Sequence, residues 1–251
     1  MSRYFSICYG AVAYLLFLVS FVYAIGFVGN IWVPRSVDHA LSAPVAQAVL
    51  IDALLLGVFA VQHSVMARPW FKRAWTRVVP EPVERSTYVL LSSLALLLLF
   101  WQWRPIGRVV WEVDGAIGRA VIYTLYSAGL VIVLVATFLI NHFDLFGLRQ
   151  VYLAWRGEPY RDLDFRVRFL YRLVRHPLML GFLVAFWSTP TMTAGHLLFT
   201  VATTGYILVA VQLEEHDLVA ALGDQYCAYR REVPALLPWP RPHPHATARQ
   251  H

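Results

Sequence analysis

The residues best suited to chemistry lie in the last third of the chain. Arg175-His176-Pro177 opens a run of 36 residues, Leu178–Leu213, without a formal charge, and Glu214-Glu215-His216-Asp217 closes it. A polar coda follows: Gly223-Asp224-Gln225-Tyr226-Cys227-Ala228-Tyr229-Arg230. Pro177 suits the first turn of a helix, where its missing N–H has no intrahelical partner to lose. An arginine beside such a helix start is a receptor for a carboxylate or a phosphate. Glu214 and Glu215 are adjacent, about 100° apart around a helix, so they cannot face one ligand alike. One is expected to reach the ligand and the other to pair with an arginine. Tyr226, Tyr229 and Arg230 follow i, i+3, i+4 spacing and share a face. An anion receptor, an acidic pair and an aromatic wall suit an amino-acid nucleoside, with its carboxylate, amine, ribose hydroxyls and purine.

The elements that position these groups are membrane helices. Hydrophobic residues make up 59% of the chain and charged residues 14%, too apolar for an ordinary soluble domain. Runs near the roughly 20 residues that cross a bilayer as helix mark four spans, Tyr9–Gly29, Val45–Met66, Tyr88–Trp103 and Arg119–Ile140, and then Leu178–Leu213 as a hairpin. Two arms of about 18 residues would each be about 27 Å long, enough to cross, and Ser188-Thr189-Pro190 bends or shortens the first. The fold class expected is an all-α polytopic membrane bundle of about five spans, with a cytosolic C-terminal segment that binds the cofactor. The first apolar run exceeds a signal-peptide core and lacks a small-x-small exit, so it reads as a retained helix.

Basic residues set the orientation. Arg68, Lys72, Arg73, Arg77 and Arg85 cluster after the second span, and Arg149, Arg156, Arg161, Arg166, Arg168, Arg172 and Arg175 after the fourth. The positive-inside rule puts these segments and both termini in the cytoplasm, in a bacterial inner membrane. The net charge of +6 then matches an anionic inner leaflet, and no nucleic-acid module is present. Cys8 and Cys227 lie far apart on the reducing side, so no disulfide is expected. The chain reads as one domain, residues 1–238, followed by a proline-rich tail, 239–251, expected to be disordered. His243 and His245 in that tail make no metal site.

On this topology five helix ends bring polar residues to one membrane depth: Gln62 and His63; Arg85 and Tyr88; Asn141, His142 and Asp144; Arg175 and His176; Glu214 to Asp217. Ionisable groups at such depth are costly unless paired or facing a polar cavity. Any one of them could simply cap a helix or snorkel, but the full set is harder to explain that way. The opposite ends offer only scattered polar residues, such as Asp38, His39 and His196.

The ordered set Arg175-His176-Pro177, Glu214-Glu215, Gly223-x-x-Tyr226-x-x-Tyr229 and Val233-Pro234 resembles the membrane methyltransferases related to isoprenylcysteine carboxyl methyltransferase and phospholipid methyltransferase. Gln62-His63-Ser64-Val65-Met66-Ala67-Arg68, Glu84-Arg85-Ser86-Thr87-Tyr88 and Asn141-His142-Phe143-Asp144 through Gln150 look like the NnrU-related branch, which extends the resemblance over nearly the whole chain to Pro238. It implies S-adenosylmethionine as methyl donor, no metal, and transfer to a small thiol, first of all methanethiol to dimethyl sulfide. Its cofactor side would comprise Arg175, His176, Leu178, Gly181, Glu214, Glu215, Tyr226, Tyr229 and Arg230. Its acceptor side would comprise His63, Tyr88, Asn141 and Asp144, with His63 the first choice as proton acceptor and Asp144 the second.

One departure matters. Carboxyl-methylating relatives carry an arginine just before the acidic run, where this chain has Val209-Ala210-Val211-Gln212. The missing cation disfavours a carboxylate acceptor and fits a thiol. Methylation of a lipid or prenylcysteine-type acceptor is the alternative reaction. A membrane proton relay or transport component through His63, His142 and His176 is the non-enzyme alternative. The sequence does not fix the oligomeric state.

Overall fold

The computed structural model describes residues 3–39, 43–161 and 163–238; the tail expected to be disordered lies outside them. In chain order the elements are α1 (Arg3–Gly29), α2 (Val45–Ala67), α3 (Pro69–Trp75), α4 (Glu81–Gln102), β1 (Val109–Glu112), α5 (Ala116–Ile140), α6 (His142–Leu145), α7 (Leu148–Arg156), α8 (Pro177–Trp187), β2 (Thr191–Thr193), α9 (Ala194–Leu222) and α10 (Asp224–Glu232). A single 3-10 turn, Phe169–Arg172, precedes α8. Five helices, α1, α2, α4, α5 and α9, are long and apolar enough to cross a membrane. The protein is a polytopic helical membrane protein.

Helix α4 packs between α1 and α2, and α9 lies against α2 and α8. The closest packing joins α5 and α8. A Cβ on Gly129 would come within 2.7 Å of Gly181 O and Ala185 N, and one on Gly181 within 2.7 Å of Gly129 O. Glycine at both positions lets the two backbones touch, the small-residue contact on which membrane helices rely. Phe27, Val37, Leu99, Phe100, Trp103 and Phe199 form a buried cluster near the α4–β1 end. Large apolar side chains such as Val22, Leu54, Val131 and Val209 face outward, as a lipid-facing surface requires.

The expected hairpin forms, with unequal arms. Helix α8 has 11 residues and α9 has 29, so α8 rises only about 16 Å and an extended segment, Ser188–Thr193, completes the arm. Extended chain at membrane depth survives only where protein satisfies its backbone. Here β2 pairs antiparallel with β1, Val113 N donates to Pro190 O at 2.9 Å, and Trp111 Nε1 donates to Thr189 O at 3.3 Å. Other boundaries differ from the apolar runs. Helices α1, α4 and α5 start earlier, at Arg3, Glu81 and Ala116, and α9 continues to Leu222, because polar and charged residues extend a helix beyond its greasy part without ending it.

The polar residues beyond the strands are not scattered. Asn30 Nδ2 donates to Asp38 Oδ2 at 2.6 Å, Thr193 Oγ1 donates to Asp38 Oδ1, and Ser36 Oγ donates to Asn30 Oδ1 at 2.6 Å. His196 Nδ1 lies 3.8 Å from Asp38 Oδ2. This buried cluster joins the α1–α2 connection to the start of α9, a contact between segments about 155 residues apart that local sequence could not announce.

Candidate active site

At the other pole the charges that bracket the apolar run of the last third form one compact knot. Arg175 Nε donates to Glu215 Oε1 at 2.7 Å, and Nη2 reaches the same oxygen at 2.5 Å. Its Nη1 donates to the carbonyls of Arg230, at 3.1 Å, and Val233. Glu215 also receives Arg230 Nε at 3.2 Å and His176 Nε2 at 3.1 Å. Both members of the central pair are buried, so their charges are sustained by one another and by the surrounding donors and carbonyls. The backbone joins in: Arg175 N donates to Pro234 O at 2.9 Å and His176 N to Ala235 O at 3.0 Å. The Val-Pro after α10 is thus the strand-like partner of the Arg-His before α8.

Burial alone would lower the His176 pKa, but hydrogen bonds and charge from Glu214 and Glu215 outweigh it and raise the imidazole above its usual value. Glu214 differs from its neighbour. Its side chain is 47% exposed, against 10% for Glu215, and its carboxylate lines a small cavity with Tyr171, Arg175, His176, Leu218 and Tyr226. Tyr226 is 1% exposed and its hydroxyl has no partner. Tyr229 Oη is engaged, donating to Tyr171 O at 2.6 Å. Burial pushes both phenols up to about 12, so they are neutral donors throughout the physiological range. A wider cleft of about 550 Å³ adjoins, sharing Phe165, Val167 and Tyr229 and adding Arg172 and Gln225.

A second group is built from uncharged partners. The Tyr88 hydroxyl lies across the edge of the His63 ring, 2.9 Å from Nε2 and 3.1 Å from Nδ1. Ser92 Oγ is 3.2 Å from His63 Nδ1 and receives Gln62 Nε2 at 3.3 Å. Phe59, one turn earlier on α2, stacks on the imidazole at 5.1 Å, and Arg85 lies 5.8 Å from the Tyr88 ring centroid. Helix α9 closes this group. Ser64 Oγ donates to Tyr206 Oη at 3.3 Å, and Arg68 Nη1 bonds Asp217 Oδ2 at 2.8 Å. Tyr206, Ala210, Glu214 and Asp217 share a face of α9 by their i, i+4, i+8, i+11 spacing. Glu214 also lies within electrostatic reach of Tyr88, Tyr171 and Tyr226.

The remaining expected site residues sit elsewhere. Asn141 caps α6, accepting from Asp144 N at 3.1 Å. Asp144 bonds Arg149 Nη1 at 2.8 Å, Gln150 Nε2 at 3.4 Å and Tyr160 Oη at 3.4 Å. His142 lies 2.7 Å from Tyr14 Oη and 2.9 Å from Thr137 Oγ1. Among the described contacts none joins Asn141 or Asp144 to His63 or Tyr88; they hold the α6–α7 corner against α1 and α4, where a Cβ on Gly147 would strike Ser86. Gly181 faces α5, and Leu178 is half-buried in the first turn of α8. Tyr206, Phe59, Ser92 and Arg172 escaped the sequence reading. Helical spacing from Glu214 back to Tyr206 was the one signal that could have found any of them.

Membrane-spanning helices that gather an ionic knot and an imidazole–phenol pair against one long helix, α9, define a polytopic membrane protein with two polar groups side by side. The chain belongs to the NnrU family, whose model, described as NnrU protein, matches residues 49–222. It is 65% identical over 243 residues to the methanethiol S-methyltransferase of Mycobacterium tuberculosis (strain ATCC 25618 / H37Rv), covering 97% of this chain and 100% of that one. It is 51% identical over 217 residues to the methanethiol S-methyltransferase of Pseudomonas deceptionensis, covering 86% and 83%. Nurim of Mus musculus is 30% identical over 195 residues, covering 74% and 72%. No solved structure matches the chain.

Proposed function

We propose that residues 1–238 form one integral-membrane enzyme domain that methylates a small thiol, methanethiol before others, with S-adenosylmethionine as donor and dimethyl sulfide as product. The observation that carries this reading is the placement, on one face of α9, of the half-exposed Glu214 beside an aromatic cavity and of Tyr206 beside the neutral His63–Tyr88 pair. The names of the two bacterial relatives support the reaction. The basic segments beside this pole support a cytoplasmic orientation in a bacterial inner membrane.

The residues present fit an amino-acid nucleoside. Glu214 offers a carboxylate to an amine or ribose hydroxyls, Tyr226 an unpartnered buried hydroxyl, and Tyr171, Tyr229 and Phe165 an aromatic wall. Arg175 and Glu215 spend their groups on each other, on His176, on Arg230 and on the carbonyls after α10, so they shape the site. A donor carboxylate is then left to Arg172 in the adjoining cleft and to the free N–H groups of the first turn of α8, Leu178 among them. Gly181 lets α8 seat against α5 and so fixes that turn. Asn141 and Asp144 hold the α6–α7 corner over the pole.

When bound, S-adenosylmethionine supplies an electrophilic methyl: the acceptor sulfur bonds its carbon while the bond to the sulfonium breaks, leaving the electron pair on that sulfur. The protein aligns the acceptor, excludes water and removes the thiol proton. Tyr88, within bonding distance of His63 Nε2, relays that proton to the imidazole, and Ser92 on Nδ1 fixes the ring. The hydrogen-bonding partners of the pair are uncharged, and residues 209–212 supply no cation of the kind that handles a carboxylate acceptor; the Arg85 guanidinium faces the Tyr88 ring at 5.8 Å.

Expression in a host without the activity, fed methanethiol, tests the reading by headspace dimethyl sulfide. Product above the empty-vector control, abolished by omission of S-adenosylmethionine in purified membranes, is the expected result. Folded protein that binds S-adenosylmethionine but yields no sulfide would overturn the thiol assignment; methyl incorporation into lipid instead would select the alternative acceptor.

A further inference from the structure

The His63 imidazole is boxed by aromatic rings from three helices. Phe59 stacks on it at 5.1 Å, Tyr88 tilts against it at 5.1 Å, and Tyr206 presents an edge at 6.5 Å while also meeting Phe59 at 6.1 Å. Tyr206 is half-buried, and Ser64 holds its hydroxyl by one long bond of 3.3 Å. Along the same face of α9 come Ala210, one turn on, and Glu214, one turn further. Between Tyr206 and Glu214 that face of α9 therefore carries only the methyl of Ala210. Tyr206 lies two turns along the helix from the Glu214 that lines the cavity.

In an in-line displacement the acceptor sulfur turns a lone pair to the methyl group and its substituent away from it. The substituent of a thiol held by Tyr88 then points from Ala210 towards Tyr206 and Phe59. Resting on the thiol reading above, we infer that Tyr206 is a specificity-determining residue: its ring is the wall that limits the length of the alkyl group on the acceptor. Sulfur and small alkyl groups both pack well against aromatic rings, and an apolar wall discriminates roughly 10- to 200-fold per methylene. The wall therefore separates methanethiol from its longer homologues.

The test compares methanethiol with 1-propanethiol in wild type, Tyr206→Phe, Tyr206→Ala and Ala210→Leu, purified in detergent with S-adenosylmethionine affinity measured by calorimetry. Tyr206→Ala should raise the propanethiol-to-methanethiol ratio of kcat/KM by at least about 10-fold while S-adenosylmethionine affinity stays within about twofold. Tyr206→Phe keeps the ring and should keep the wild-type ratio. Ala210→Leu narrows the passage and should depress kcat/KM for both thiols alike. A binding readout runs in parallel: methyl propyl sulfide should raise the Tm of Tyr206→Ala more than dimethyl sulfide does, and the reverse in wild type. An unchanged ratio in Tyr206→Ala that folds and binds S-adenosylmethionine overturns the inference, and if that variant does not fold, the same ratio in Tyr206→Leu decides. Wild-type protein that methylates neither thiol overturns the thiol reading itself, a result distinguishable from failure of the wall alone.

Discussion

Two polar groups hang from α9, and they are built on opposite principles. At residues 214–215 the helix carries charge, and each charge there meets a counter-charge or a carbonyl: Arg175, His176 and Arg230 converge on Glu215. Two turns earlier, around Tyr206, the hydrogen bonds are neutral: His63, Tyr88, Ser92 and Gln62 hold one another and Ser64 holds Tyr206, while the Arg85 guanidinium lies 5.8 Å from the Tyr88 ring centroid. The difference follows depth. Near the helix ends an ion pair can share water and headgroups, whereas further in a charge without a partner is expelled. A knot of charges fixes backbone geometry; a neutral pair keeps a proton acceptor available without attracting anions.

If the neutral pair does chemistry and the knot only builds, the two must fail differently. His63→Ala is expected to lower turnover by about 10²- to 10⁴-fold, the usual worth of a positioned base, with unchanged S-adenosylmethionine affinity and thermal stability. Headspace sulfide with calorimetric binding reads both quantities. Full turnover in that variant would remove His63 from the reaction and erase the contrast.

Arg175→Ala attacks the other side. It removes the buried partner of Glu215 and leaves only His176 and the half-exposed Arg230 on that carboxylate; breaking a buried pair costs up to about 3–5 kcal/mol, so the variant should unfold at lower denaturant concentration, whatever its activity. Arg175→Lys should recover only part, because one ammonium cannot span Glu215 and the carbonyls of Arg230 and Val233 together. Wild-type stability in Arg175→Ala would mean that the knot is ornamental.

The adjacent glutamates sharpen the contrast within two residues. Glu214→Gln should weaken S-adenosylmethionine binding by roughly 10-fold, since a hydrogen bond to a charged group contributes about 1.5–3 kcal/mol, and lower the Tm less than Glu215→Gln does, because among the described residues Glu214 meets the knot only through His176 Nδ1 at 3.5 Å. Glu215→Gln should lower the Tm. Reversed outcomes would exchange the two roles.

The five spans were legible to within a few residues because burial in lipid demands long apolar runs, and α2, for example, starts at Val45 and ends one residue past Met66. Helix α4 was read seven residues short, since Glu81 to Thr87 is helical without being apolar. The polar residues at one pole could be placed by topology alone, but their partners could not. That one glutamate would be spent on an arginine follows from their 100° separation; that it is Glu215, and that the arginine is Arg175, depends on how α9 rotates against α8 and α10. The Asp38–His196 cluster was illegible for the same reason, being set by a contact between distant segments, whereas Tyr206 carried only the weak signal of its helical spacing from Glu214.

His176 is where the comparison is most delicate, because it is an imidazole in the charged knot, as His63 is one in the neutral box. Glu214 and Glu215 raise its pKa despite burial, so folding favours its protonated form. The sign follows: the stability it contributes is fully present below the ordinary imidazole value of about 6.5 and is lost as pH rises through the raised folded value. The Tm difference between wild type and His176→Gln should therefore be largest near pH 6 and shrink as the buffer becomes alkaline. What remains on the alkaline side is packing and the neutral hydrogen bond, with Glu215 still held by Arg175 and Arg230. The effect is the smallest of the four, since two guanidinium groups already satisfy the carboxylate. A difference that grows with pH would mean that His176 folds neutral, and the knot would then share the chemistry of the box.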